Sequence, residues 1–314
     1  ESAPPSSSWS LASNIEGIYL VFGNSRRSYI TYTDLYATKI EFKSISQSYY
    51  LDNQSSTTTH IGSGGIIYTP TDDARSSING PVQLHASQIW NIASGTLSVN
   101  GSISDHDGSS SLNYQIEKTG TGTLEFESSS SSNWGGGLKL TDGQVSFRAG
   151  STSTSLGTGT LVFNGGKLMG ELESNSSTTK EIKLTNNIVS NGLVSLITRS
   201  TLNIDNAEAG SNFFRLDADT TIKMQGREVY VAKDITESEI GGDRKLTLEA
   251  NTALILNGSS GWKGGTLVKS GALIFGGEGN TPGTISNNIL GSPSGIQIDA
   301  TGYAGIGVDN NVPG

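Results

Sequence analysis

Apolar residues in this chain recur two apart in very short runs, as in Leu138-x-Leu140, Val145-x-Phe147 and Leu161-x-Phe163, with Gly, Asn, Ser or Asp closing each run. Alternation over three to five positions predicts half-buried strands, and the closing residues predict tight turns between them. The stretch PVQLHASQIWNIASGTLSVNGSIS at 81–104 reads as successive strands carrying Val82 and Leu84, Ile89 with Trp90, Leu97 and Val99, and Ile103. In YQIEKTGTGTLEF, 114–126, Ile116, Leu124 and Phe126 flank a Gly-Thr-Gly turn. The same rhythm continues with less glycine through EIKL, LVSLI, TLNI, TIKM, EVYV and KLTL between 180 and 250, and returns in TALIL and SGIQIDA. Spacing of 3.6 is almost absent, so helices are not expected.

One phrase occurs twice: SSNWGGGLKLTDGQVSF at 131–147 and SSGWKGGTLVKSGALIF at 259–275. Its tryptophans, Trp134 and Trp262, are 262 − 134 = 128 residues apart, which is several repeats of a short coil. A β-solenoid explains the phrase: alternate side chains point inward, and each coil turns sharp corners. Leu138 and Leu140 form one inward pair, Asp142-Gly143 a corner, and Val145 and Phe147 the next pair; Val268, Gly271, Leu273 and Phe275 repeat this. Gly136 and Gly137, and likewise Gly264 and Gly265, allow the backbone to approach closely beside each indole. The expected fold is all-β, a parallel β-solenoid with an N-terminal capping region, at about 20–25 residues per coil. Residues 1–10, rich in Pro and Ser, read as a linker or frayed terminus. Residues 11–77, with the aromatic runs IYLVF, YITY and KIEF, read as the cap and first coils, and 78–314 as the remaining coils, with repeat phrases near 116–168 and 252–300.

The run Ile116-x-Lys118-x-Gly120-x-Gly122-Thr123-Leu124-x-Phe126, with Asn133-Trp134-x-Gly136-Gly137, Gly143-x-Val145-x-Phe147 and Leu156-Gly157-x-Gly159, resembles the autotransporter-associated β-strand repeat of passenger domains. The resemblance is strong over about 78–170, weaker over 252–300, and only general elsewhere. It implies a right-handed parallel β-helix displayed outside a Gram-negative bacterium, at the cell surface or released. A passenger of that family is followed by an outer-membrane barrel. Here the sequence stops at VDNNVPG, so attachment to the outer membrane is expected only through a barrel that this chain lacks.

Composition narrows the partners. With 20 Lys and Arg against 29 Asp and Glu, the net charge of −9 argues against nucleic acid and against anionic membranes. The absence of cysteine excludes disulfides and thiolate chemistry, and suits a protein that must cross an envelope unlocked.

Candidate chemistry is sparse. The three histidines, His60, His85 and His106, show no short ligand spacing, and no cofactor is expected. Asp105, His106 and Asp107, in DHDG, are the best metal candidates, set against a solvated loop. Carboxylate pairs for glycan cleavage are Asp72 with Asp73, Asp217 with Asp219, and Glu237 with Glu239, each set against a solvated acidic face. Two functions follow. The favoured one is a monomeric, non-enzymatic stalk or adhesin that contacts host glycans or glycoproteins. The rival is a secreted hydrolase or lyase acting on mucin-type glycoprotein or polysaccharide.

Overall fold

A computed structural model describes residues 17–23, 28–32, 34–45, 48–53, 57–71, 73–106, 112–127, 132–149, 156–172, 181–205, 213–258, 260–275, 295–298 and 304–308. Among these residues there is no helix, and the strands pair in parallel. The chain is a parallel β-helix with three faces. Gln88–Ile92 lies on face 1, Thr96–Val99 on face 2 and Ile103–Asp105 on face 3; Ile116–Thr119 then returns to face 1 and pairs with Gln88–Ile92. Face 1 runs from Tyr19–Phe22 to Ser260–Gly261.

Three faces share two hydrogen-bonded sheets because a few long strands bend around corners. Leu35–Ile45 and Thr59–Pro70 join face 3 to face 1, with a register shift at the bend. Leu246–Leu256 and Thr266–Phe275 join face 2 to face 3 in the same manner. The strands at 19–22 and 35–53, within the aromatic-rich cap and first coils, occupy the same faces as the later ones.

Coil length follows from the register on face 1. Trp90, Lys118, Leu140, Phe163, Ser190, Leu216 and Glu237 stand one above the next, so successive coils take 28, 22, 23, 27, 26 and 21 residues. The variation is absorbed between faces, since a strand on a face has a fixed neighbour above and below.

Inward residues stack as rows along the axis. On face 1 the row is Ile116, Leu138, Leu161, Ile188, Phe214 and Ile235, and on face 2 it is Leu97, Leu124, Val145, Leu168, Leu196 and Met224. All of these are buried. Ring contacts run through the core, from Phe22–Phe42 at 5.1 Å to Trp90–Phe126 at 6.5 Å and Phe126–Trp134 at 5.9 Å. One pairing expected from sequence is corrected. Ile89 is 52% exposed, whereas Trp90 is buried between Gln88 and Ile92. Gln88 takes the inward position because it is satisfied there: its Oε1 accepts the Trp90 indole N–H at 2.8 Å, and its Nε2 donates to Ile61 O.

Candidate functional site

The two copies of the repeated phrase build the same corner. Trp134 and Trp262 are both buried. The indole N–H of Trp134 donates to Gly137 O at 3.1 Å, and that of Trp262 to Gly265 O at 3.2 Å. Each carbonyl also accepts a backbone N–H from the preceding coil, Ile116 in one case and Leu246 in the other. Gly137 and Gly265 have φ of 76° and 81°, and Gly143 and Gly271 of 69° and 84°, a region in which glycine is favoured. Gly136 and Gly264 lie where a Cβ would meet backbone of the preceding coil, at 2.2 Å and 2.5 Å. Phe147 and Phe275 end their runs in the core.

The corners nevertheless sit on different edges. Leu138–Leu140 lies on face 1, but Thr266–Val268 pairs with Leu246–Leu248 on face 2, and 271–275 continues onto face 3. The second copy is displaced by one face.

The candidate carboxylates hold the chain to itself. Asp217 takes a bidentate contact from Arg215, at 2.6 and 3.0 Å. Asp219 accepts the Lys245 N–H at 3.0 Å, which ties down the segment after Glu237. Glu237 accepts the N–H groups of Arg244 and Lys263 and pairs with the Lys263 ammonium. Burial acts to raise its pKa, but these bonds prevail and hold its carboxyl below the usual range. Glu239 is exposed. Asp73 borders an open depression of about 310 Å³ with Ser94, Gly95, Thr96, Thr121, Gly122 and Thr123, and is the only ionisable residue among the described residues that line it. The hydroxyls of Ser94 and Thr121 already donate to Pro70 O and Ala93 O. Asp72 and Asp107 lie outside the described residues.

The metal candidates separate. Asp105 is buried, with its Oδ2 accepting the Gly135 N–H at 3.2 Å, while the adjacent His106 is exposed. Asp105 ends the strand Ile103–Asp105 with its side chain inward, and His106 stands in the turn that follows, towards solvent. Among the described residues no three His, Cys, Asp or Glu side chains are grouped to hold a metal.

Two features escape the sequence reading. Lys118, in the Gly-Thr-Gly run, points inward and is fully buried. Its ammonium donates to Thr119 O, Gly120 O and Asp142 O at 2.9, 2.6 and 3.2 Å, gathering the carbonyls of two adjacent corners. Burial pushes its pKa down to about 8, with Asp142 opposing. Lys233, also fully buried, reaches Thr185 O at 3.0 Å in a comparable way.

The second feature is a row of rings on the outer side of face 3, where it hands over to face 1. Tyr36 stacks on His60 at 4.1 Å and 11°, His60 meets His85 at 5.2 Å, His85 stacks on His106 at 4.9 Å, and His106 is followed by Tyr114 at 6.1 Å. His60 Nδ1 and His85 Nε2 are 3.0 Å apart, a hydrogen bond between imidazoles. All three histidines of the chain stand in this row. Their sequence separations, 85 − 60 = 25 and 106 − 85 = 21, fall within the range of coil lengths, and that was the available signal.

In comparisons with known proteins, the chain matches no family model, no curated protein and no solved structure.

Proposed function

We propose that this chain is a non-enzymatic β-helical passenger, displayed on or released from a Gram-negative surface, whose outer faces contact host glycans or glycoproteins. The observation that carries this reading is the engagement of the acids best placed for catalysis. Asp217, Asp219 and Glu237 accept hydrogen bonds from Arg215, Lys245, Arg244 and Lys263, so they act as clamps on neighbouring corners. A glycosidase needs two carboxylates facing one another across a cleft. Among the described residues, the depression bordered by Asp73 has no second carboxylate in its lining.

The outer faces present polar side chains at coil spacing. Lys139 pairs with Glu117 at 3.1 Å, Arg199 with Glu171 at 2.7 Å, and Lys223 and Lys269 bracket Glu249 at 3.1 and 2.9 Å, each contact bridging adjacent coils. Such a surface favours many weak contacts and gains strength by multivalency. The repeat motif around Trp134 supports display outside the cell.

The test is binding to mucin-type glycoprotein with the chain in solution and with the chain clustered on beads. Weak monovalent binding that rises on the order of a hundredfold with clustering supports the proposal. New chain ends on mucin or polysaccharide, abolished by Asp217→Asn with Asp219→Asn, would establish the rival enzyme.

A further inference from the structure

We propose that the histidine row is an acid-sensitive clasp: protonation of its imidazoles loosens the coils that carry them, while the coils built on Leu193–Thr198 and the described strands after it keep their pairing. The geometry sets the requirement. A hydrogen bond between His60 Nδ1 and His85 Nε2 at 3.0 Å needs a proton on one nitrogen and a lone pair on the other. A first added proton can reside on a distal ring nitrogen and leave that bond intact. A second forces N–H against N–H, and the bond is lost. His106, stacked on His85 at 4.9 Å, brings a third cation into the row.

The groups facing the row provide little compensation. From the strand Leu35–Ile45 and the residue before it come Asp34, which acts on His60, and the Tyr36 phenol, whose pKa burial and Asp34 raise, so that it is neutral wherever the imidazoles titrate. Lys39 on the same strand is paired with Glu41. Gln83 and Ser104, in register with His60, are uncharged. Asp105 is turned into the core, towards the Gly135 N–H, and Tyr114 closes the row with an uncharged ring. Among the described residues, one exposed carboxylate, Asp34, therefore stands against three prospective imidazolium groups.

The ionisation behaviour agrees. Burial, with His60 and His106 beside it, holds His85 down to about 4, and burial lowers His60 although Asp34 opposes it. These are bases with depressed folded-state pKa values. The opened coils bind more protons than the closed ones between about 4 and 6.5, so stability is complete above 6.5 and falls as the pH drops through that window. The row is confined to one part of the solenoid, and coils in such folds respond chiefly to their neighbours. The opening is thus local.

Hydrogen–deuterium exchange on the whole chain at pH 7, 5 and 4, corrected for intrinsic exchange rates, is the test. Peptides from 59–106 should gain exchange on the order of a hundredfold relative to those from 193–256 between pH 7 and 4. His85→Phe keeps a ring in the stack without an ionisable nitrogen, and should abolish most of that gain. His106→Gln, at an exposed position, should reduce it even if His85→Phe folds poorly. Uniform loosening along the chain, an unchanged acid response in His106→Gln, or histidines that titrate near 6.5 without any opening would each overturn the proposal.

Discussion

Replacing Trp134 by alanine removes a side chain with 0% exposure, and replacing Trp262 one with 1%. An indole buries about 150–250 Å² or more, and at about 25 cal/mol per Å² this gives roughly 4–6 kcal/mol of lost burial. Partial collapse of the site brings the expectation to about 3–5 kcal/mol for each variant. Phenylalanine separates the two contributions of the indole. It keeps most of the apolar volume, and loses the N–H bonded to Gly137 O or Gly265 O together with the part of the ring that carries it. Those carbonyls retain a backbone donor from Ile116 or Leu246, so no buried acceptor is left bare, and the lost bond with the small void should cost about 1–2 kcal/mol. Trp262 also donates to Thr266 Oγ1, which makes its phenylalanine variant the costlier of the two. Urea unfolding followed by circular dichroism supplies the free energies, and hydrogen exchange shows where protection is lost. Loss should centre on the coils flanking each corner. An alanine variant costing less than about 1 kcal/mol at either site, or a phenylalanine variant as damaging as alanine, refutes the view that the phrase is a buried corner device.

Two further outcomes follow from the corners. Gly143→Ala places a Cβ 2.3 Å from Gly120 O at a φ of 69° and should cost at least about 2 kcal/mol in urea unfolding, whereas Gly261→Ala meets nothing within 4 Å and should stay within about 0.5 kcal/mol. For Lys118 the pKa is about 8 in the fold against 10.5 in the unfolded chain, so the unfolded state holds more protons between those values, and stability should rise by up to about 3 kcal/mol from pH 8 to 10.5. Lys118→Met should remove that alkaline rise, read from urea midpoints at pH 7.5 and 9.5.

The solenoid was legible because its two signals are local. Alternation in Leu138–Leu140 and glycine at 143 each specify geometry within a few residues, and every coil repeats them. Which residue of a three- to five-residue strand points inward is less local. Ile89 and Trp90 both suit the core, and the choice was made by Gln88, whose amide finds partners only when the strand is turned to bury the indole. Lys118 was illegible for a related reason: a lysine reads as solvent-facing until the three carbonyls that receive it are brought together by separate corners. The histidine row depends on coil length, which varies from 21 to 28 residues. Short-range spacing rules for ligands have no access to that distance.

The one-face displacement between the copies of the phrase has a consequence for presentation. Trp134 precedes a strand on face 1, and Trp262 one on face 2. Anything borne beside the second corner therefore points about a third of a revolution away from its counterpart. A lineage that copied this segment would not extend a single stripe along one side of the rod. It would place equivalent corners on two of the three faces, so that whatever stands beside them looks out in different directions.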